Sequence, residues 1–205
     1  MSLSLITSDD CSISRRLSWL LRHGAQKVDI FISDEGFIKV HDILRHQSFK
    51  DITLEDILRV VSNNDKQRFS VRKNPGNGEL EIKANQGHTI SLNNLKLLEI
   101  PLITSYTEVI HGTYYSCWKA IKKEGLRRMK RMHIHFAKDL NSISGIRKNC
   151  QVLIYVDIKL ALKDGYKFFE SENQVILCPG NINGLLPKDY FLKVIDFKTN
   201  CPLSY

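Results

Sequence analysis

The sequence predicts an α+β protein of two lobes, and three observations carry that prediction. Helical periodicity and one hairpin dominate the first hundred residues. Short runs of β-branched and aromatic residues dominate the remainder. Too few helices interleave with those later strands to build a doubly wound sheet. The expected division of the 205 residues is 1–100 and 101–205, lengths at which each lobe can bury a core of its own.

The elements follow in order. Ser12 or Ser14 is placed to cap a helix in which Ile13, Leu17, Leu20 and Leu21 recur at helical spacing, with Arg22 and His23 at its end before Gly24. Phe31 to Val40, broken by Asp34-Glu35-Gly36, reads as an extended stretch with a turn, and a short helix follows through Val40, Ile43 and Leu44. Thr53 with Asp56 three residues on is a capping box for a helix carrying Ile57, Leu58, Val60 and Val61. Phe69 and Val71, the turn-forming Asn74-Pro75-Gly76-Asn77-Gly78, then Leu80 and Ile82 make a hairpin. Three helices and a hairpin amount to a winged-helix-like lobe.

After a crossover within 94–107, strands are expected around 108–110, 132–136, 152–156, 167–169, 175–177 and 192–195, with helices at Tyr115 to Glu124 and Lys159 to Lys163. This is a β-rich α+β lobe. No GxGxxG or GxxxxGK[ST] loop occurs, so a nucleotide would bind without a Rossmann or P-loop cradle.

Charge is unevenly placed. Residues 1–100 hold 14 basic and 13 acidic side chains, whereas Lys119 to Lys148 holds ten basic residues against Glu124 and Asp139, which equals the whole net charge of +8. A local excess of that size suits a polyanion, although a solvated helix face would look the same. The five cysteines, Cys11, Cys117, Cys150, Cys178 and Cys201, are odd in number and lack a CxxC pair, so they point to a reducing compartment rather than a disulfide framework or a zinc site. Cys117 or Cys178 as a nucleophile is weaker than the reading of both as inert side chains. No apolar run is long enough to span a bilayer, and the acidic start at Asp9 and Asp10 does not suit a secretory signal.

Four segments carry chemistry-bearing residues: Leu20-Leu21-Arg22-His23-Gly24; Asn64 to Phe69 with Asn85-Gln86-Gly87-His88; His111-Gly112-Thr113; and Gly125-Leu126 followed by Arg131-Met132-His133-Ile134-His135. Arginine offers a planar fork for two phosphate oxygens, and a neighbouring histidine adds a donor or shuttles a proton. Taken singly, each has a plainer explanation: a helix-end charge for Arg22 and His23, an ion pair with Asp65 for Arg68. His133 and His135 share a strand face, but no third ligand stands at metal-binding spacing, so no metal is expected. Gly112 permits close backbone approach, and His111 and Thr113 can hydrogen-bond a sugar or an amide.

Together the strings LSWLLRHGA, SDEGFIKV, NNDKQRFSV, IKANQGHTI, VIHGT, GLRRMKRMHIHFA and NQVILCPG, in this order between Ser14 and Tyr190, resemble the NAD-dependent RNA 2′-phosphotransferase family. The resemblance implies an RNA-binding winged-helix lobe followed by an ADP-ribosyltransferase-like lobe. It implies an active-site set of Arg22, His23, Arg68 and Arg131, and a cofactor site of His111, Gly112, Thr113, His135 and Val175, with His133 the alternative to His135. Lys83, Met132 and Gln174 depart from the usual residues at positions flanking these sets.

The implied activity transfers the 2′-phosphate of spliced transfer RNA to NAD, a co-substrate, through a 2′-phospho-ADP-ribosyl RNA. The products are 2′-hydroxyl RNA, nicotinamide and ADP-ribose 1″,2″-cyclic phosphate. An aliphatic Val175 suits this chemistry, because a carboxylate there would repel the phosphate nucleophile. The rivals are ADP-ribosylation of a terminal phosphate without the second step, and a non-catalytic winged-helix module that only holds RNA. The expected partner is 2′-phosphorylated RNA, with no membrane and no need for more than a monomer. The expected location is intracellular, nucleus and cytoplasm both being open.

Overall fold

In the computed structural model, which describes residues 8–142, 144–147 and 149–205, the first helix, α1 (Ser8–Trp19), contains Ser12 and Ser14 instead of starting from either. What fixes its start is charge. Asp9 and Asp10 occupy the first turn, where the helix dipole favours anions, and Asp10, only 3% exposed, accepts a 3.0 Å hydrogen bond from Arg59 Nε. Lys148, counted in the basic segment, lies outside the described residues.

The chain divides into two compact units, Met1–Lys96 and Leu97–Tyr205. In the first, α1 is followed by a π-helical turn over Leu20–Gly24 and a 3-10 turn over Ala25–Val28. The wider turn sends both Leu20 and Leu21 fully inward. Gly24 is needed because the Trp19 ring fills the space of a side chain there: a β-carbon would stand 2.5 Å from Trp19 Cζ3.

Strand β1 (Phe37–Lys39), helix α2 (Val40–Arg45), helix α3 (Leu54–Ser62) and the hairpin β2 (Phe69–Lys73) with β3 (Leu80–Ala84) complete this unit. The predicted extended stretch from Phe31 shortens to Phe37–Lys39, since the turn before it consumes the earlier residues: Gly36 N donates to Ser33 O at 2.8 Å. The sheet order is β1-β3-β2, antiparallel throughout, with Ile82 opposite both Ile38 and Val71. The capping box at α3 forms as predicted: Thr53 Oγ1 accepts from Asp56 N at 3.2 Å, and Asp56 Oδ2 accepts from Thr53 N at 2.9 Å. Thr53→Ala is therefore expected to lower stability by about 1 kcal/mol in urea unfolding, with an unchanged denaturant slope.

The second unit comprises β4 (Leu97–Glu99), β5 (Glu108–Thr113), α4 (Tyr115–Glu124), β6 (Leu126–Arg127), β7 (Ile134–Phe136), β8 (Val152–Asp157), α5 (Ile158–Lys163), β9 (Phe169–Ser171), β10 (Ile176–Cys178), β11 (Leu185–Leu186) and β12 (Phe191–Asp196). Both helices fall where periodicity puts them. Strand β4 sits inside the predicted crossover, and because it pairs with β9 it belongs to this unit rather than to the first lobe. Three antiparallel sheets result, in orders β4-β9-β10-β7, β12-β8-β5 and β11-β6, and the Ile110↔Ala137 bridge links the first two.

Phe136, Phe168, Val152, Ile154, Val156 and Ile176 form the centre of this core, each with no exposed surface. Gly125 ends α4 at a φ of +95°, and a side chain there would strike the Leu186 carbonyl, so the helix turns directly into β6. Among the described residues no helix is long and apolar enough to cross a membrane.

Candidate active site

In the first unit, one loop, residues 85–90, holds both predicted arginines. The π turn leaves the Arg22 carbonyl outside the helical ladder, where it accepts Thr89 N at 2.9 Å and Ile90 N at 3.3 Å. His23 Nδ1 meets Thr89 Oγ1 at 3.0 Å, which orients its ring. Gly87, at a φ of +89°, lets the loop cover the Arg22 side chain: a β-carbon there would stand 3.4 Å from Nε.

Arg68 begins β2. Its backbone carbonyl accepts Asn85 N at 2.9 Å, and Asn85, 7% exposed, reaches back through Nδ2 to the Gln67 carbonyl at 2.8 Å and accepts Ser70 Oγ–H at 2.7 Å. Asn64 Oδ1 accepts both Arg68 N and Arg68 Nη1, at 3.3 and 3.2 Å. The ion pair with Asp65 that would have been the plainer explanation of Arg68 is not formed, and Arg68 is bonded to the neutral amide of Asn64. Burial lowers the pKa of the Arg68 guanidinium, with Asp65 opposing at a distance. Arg22, His23 and Arg68 are thus tied to the 85–90 loop by bonds that Asn85, Thr89 and Ile90 supply, with Asn64 holding the Arg68 side chain.

In the second unit, Arg131 closes a tight turn after β6. Arg131 N donates to Arg128 O at 3.1 Å, and Arg128 Nη1 donates to Arg131 O at 2.8 Å, so Arg128 grips the backbone that presents Arg131. Burial, and then the charge of Arg147, lower the pKa of Arg131. Among the described residues, Arg16, Arg59, Arg72 and Arg127 each pair with a carboxylate, whereas Arg68 and Arg131 do not.

His111 lies on β5 with its ring edge-on to Phe136, and its Nδ1–H donates to the His135 carbonyl at 2.9 Å. That bond fixes the tautomer and makes Nε2 the acceptor of the neutral ring. Burial lowers its pKa, the His135 carbonyl opposes, and Arg147 and Arg131 add to the lowering. His135, paired with Leu177 in the sheet, therefore acts on His111 through its backbone. His133 stands just before β7, packs edge-on against Phe169, and is pushed down to about 4 by burial and the nearby Arg128 charge.

Two residues sit differently from expectation. The open side of Gly112 is occupied by the protein itself: a β-carbon there would stand 2.8 Å from Ile146 Cγ2 and 3.2 Å from Cys150 Sγ. The close approach is made by the loop after β7, which also places Arg147 Cζ 5.4 Å from the Tyr114 ring centre. Val175 is in the turn before β10 rather than in a strand, bonded through its backbone to Ser171, and has no exposed surface. Thr113 is 6% exposed and its carbonyl accepts Gln151 N at 2.8 Å. Cys178 is a core thiol pushed up to about 12 by burial, unsuited to attack at neutral pH.

A family model described as RNA 2′-phosphotransferase, Tpt1 / KptA family, matches residues 8–180. The chain belongs to this family. It is 43% identical over 190 residues to tRNA 2′-phosphotransferase 1 of Danio rerio, covering 90% of this chain and 84% of that protein. The corresponding Mus musculus protein is 41% identical over 199 residues, covering 94% and 80%. A probable RNA 2′-phosphotransferase of Flavobacterium johnsoniae is 36% identical over 171 residues, covering 81% and 89%. The match includes every residue of both predicted sets, and with them the Asn64, Asn85, Thr89 and Arg128 contacts that only the fold reveals.

Proposed function

We propose that this family member removes the 2′-phosphate from RNA, with spliced transfer RNA as the substrate class, and transfers it to NAD. The observation that carries the reading is the state of Arg68 and Arg131. Arg68 is half-buried and Arg131 is open to solvent, and among the described residues neither guanidinium is neutralised by a carboxylate. A guanidinium not spent on a carboxylate keeps its charge for another anion, and a phosphate is the anion that a planar donor fork fits.

The donor set also suits NAD. A neutral His111 with Nε2 as acceptor fits a ribose hydroxyl, and the cationic charge of Arg131 and Arg147 near it suits a diphosphate. Bound NAD would supply the ribose carbon that receives the phosphate. The chain's own part is alignment. Arg22 and Arg68, and in the other unit Arg131, are each assigned charge-assisted bonds to phosphate that would offset repulsion between anions, and positioning supplies most of the rate. His23, oriented by Thr89, is assigned the proton or hydrogen bond given to the departing RNA 2′-oxygen. Val175, fully buried, contributes an uncharged interior and no carboxylate that would oppose the phosphate.

The test is nicotinamide release from NAD with two oligonucleotides that differ only in one 2′-phosphate. Release confined to the phosphorylated strand, with a 2′-hydroxyl strand as product, is the expected result. Release without loss of the phosphate from RNA would favour simple ADP-ribosylation. No release with either strand would leave an RNA-binding module.

A further inference from the structure

The basic turn that presents Arg131 carries an apolar residue at its tip. Met129 is 78% exposed and holds a φ of +56°, a left-handed conformation unusual for a long side chain. The turn on the strand paired with β6 carries a second apolar tip. Ile182, 97% exposed, crowns the turn over residues 181–184, which the Asn181 side chain locks by accepting Asn183 N at 2.9 Å and Leu185 N at 3.1 Å. Glycine is required at both ends of that turn. Gly180 and Gly184 have φ of +75° and +68°, and side chains on them would stand 2.6 Å from the Gly184 carbonyl carbon and 2.5 Å from Arg128 Nε.

The two turns are one rigid piece. Strands β6 and β11 pair Arg127 with Leu185 and Leu126 with Leu186, and Arg128 N donates to Gly184 O at 2.9 Å just beyond. Both tips therefore project from the same end of a two-stranded sheet, held in place before any partner arrives. Single exposed apolar residues are ordinary on a protein surface. A pair on adjoining locked turns, one of them strained, beside a turn that also carries Arg128, Lys130 and Arg131, is not.

We infer that Met129 and Ile182 form an apolar platform for a nucleobase of the RNA strand next to the phosphate that Arg131 receives. The inference rests on the proposed 2′-phosphate activity for its choice of ligand. The charge around the tips selects a polyanion, and the near-complete exposure of Ile182 suits a macromolecular ligand better than a small molecule in a cleft, whose lining would be partly covered. Because an apolar surface packs against the flat face of any base, the platform binds without reading sequence.

The experiment uses the full chain with Met129→Ala, Ile182→Ala and the double substitution, and a short single-stranded RNA with one internal 2′-phosphate. A second RNA lacks the bases on either side of that phosphate. The dissociation constant is read by fluorescence anisotropy without NAD, and KM values for RNA and NAD are read separately where turnover occurs. The double variant is expected to bind the base-containing strand about tenfold more weakly, on the scale of one lost base contact, and the abasic strand as the unaltered protein does. An unchanged affinity for the base-containing strand, an equal loss on both strands, or a rise confined to the KM for NAD would overturn the inference. Absence of phosphate removal by the unaltered protein would instead count against the activity, while the binding comparison still decides the platform.

Discussion

Arg131→Ala and Arg68→Ala should each slow removal of the 2′-phosphate from RNA by roughly 10²–10³-fold, the scale of losing one preorganised donor at a developing charge. The loss should be uneven between the two measurable products. On the proposed mechanism, nicotinamide release would need the phosphate only to be aligned, whereas freeing the RNA 2′-hydroxyl would build further charge on the phosphate oxygens assigned to these guanidinium groups. Single-turnover assays that follow nicotinamide and 2′-hydroxyl RNA in parallel should therefore show the second falling further. Arg16→Ala is the matched control, because Arg16 is spent on a two-point pair with Asp51 at 2.8 and 2.9 Å and should leave both products unchanged. Near-normal formation of 2′-hydroxyl RNA by either site variant would remove that arginine from the phosphate.

How much of this was legible before folding depends on whether a residue's partner is near in sequence. The Thr53–Asp56 capping box, the hairpin around Asn74–Gly78 and helix α4 are all local, and each forms where its pattern says. The start of α1 is not local: Asp10 is held by Arg59, on another helix, so the nearby serines mislead. Strands β4, β6 and β11 are only two or three residues long, too short for a period-two pattern to register.

The site divides the same way. Arg22, His23, Arg68 and Arg131 stand out as residue types within recognisable strings, but the groups that hold them do not. Asn85 serves Arg68 because the Phe69↔Ala84 register brings the ends of β2 and β3 together, and nothing local announces that. Gly112 is the opposite case. The residue type correctly signals close approach, but it cannot say that Ile146 and Cys150, far downstream, make that approach rather than a ligand.

His133 should make the stability of the protein fall steeply in mild acid. Its imidazole is pushed down to about 4 by burial and Arg128, against about 6.5 for an exposed histidine, so between those values the unfolded chain binds a proton that the folded chain refuses. Stability is then complete above about pH 6.5 and declines as pH falls toward 4, where the loss levels off at roughly 3 kcal/mol from this group. His111, also lowered by burial, acts in the same direction. His133→Phe keeps an aromatic ring against Phe169 while removing the titration, and should flatten urea-unfolding free energies measured from pH 7 to pH 4 by about that amount. A variant whose profile still runs parallel to that of the unaltered protein would mean that the ring is solvated enough to take up its proton in the folded state.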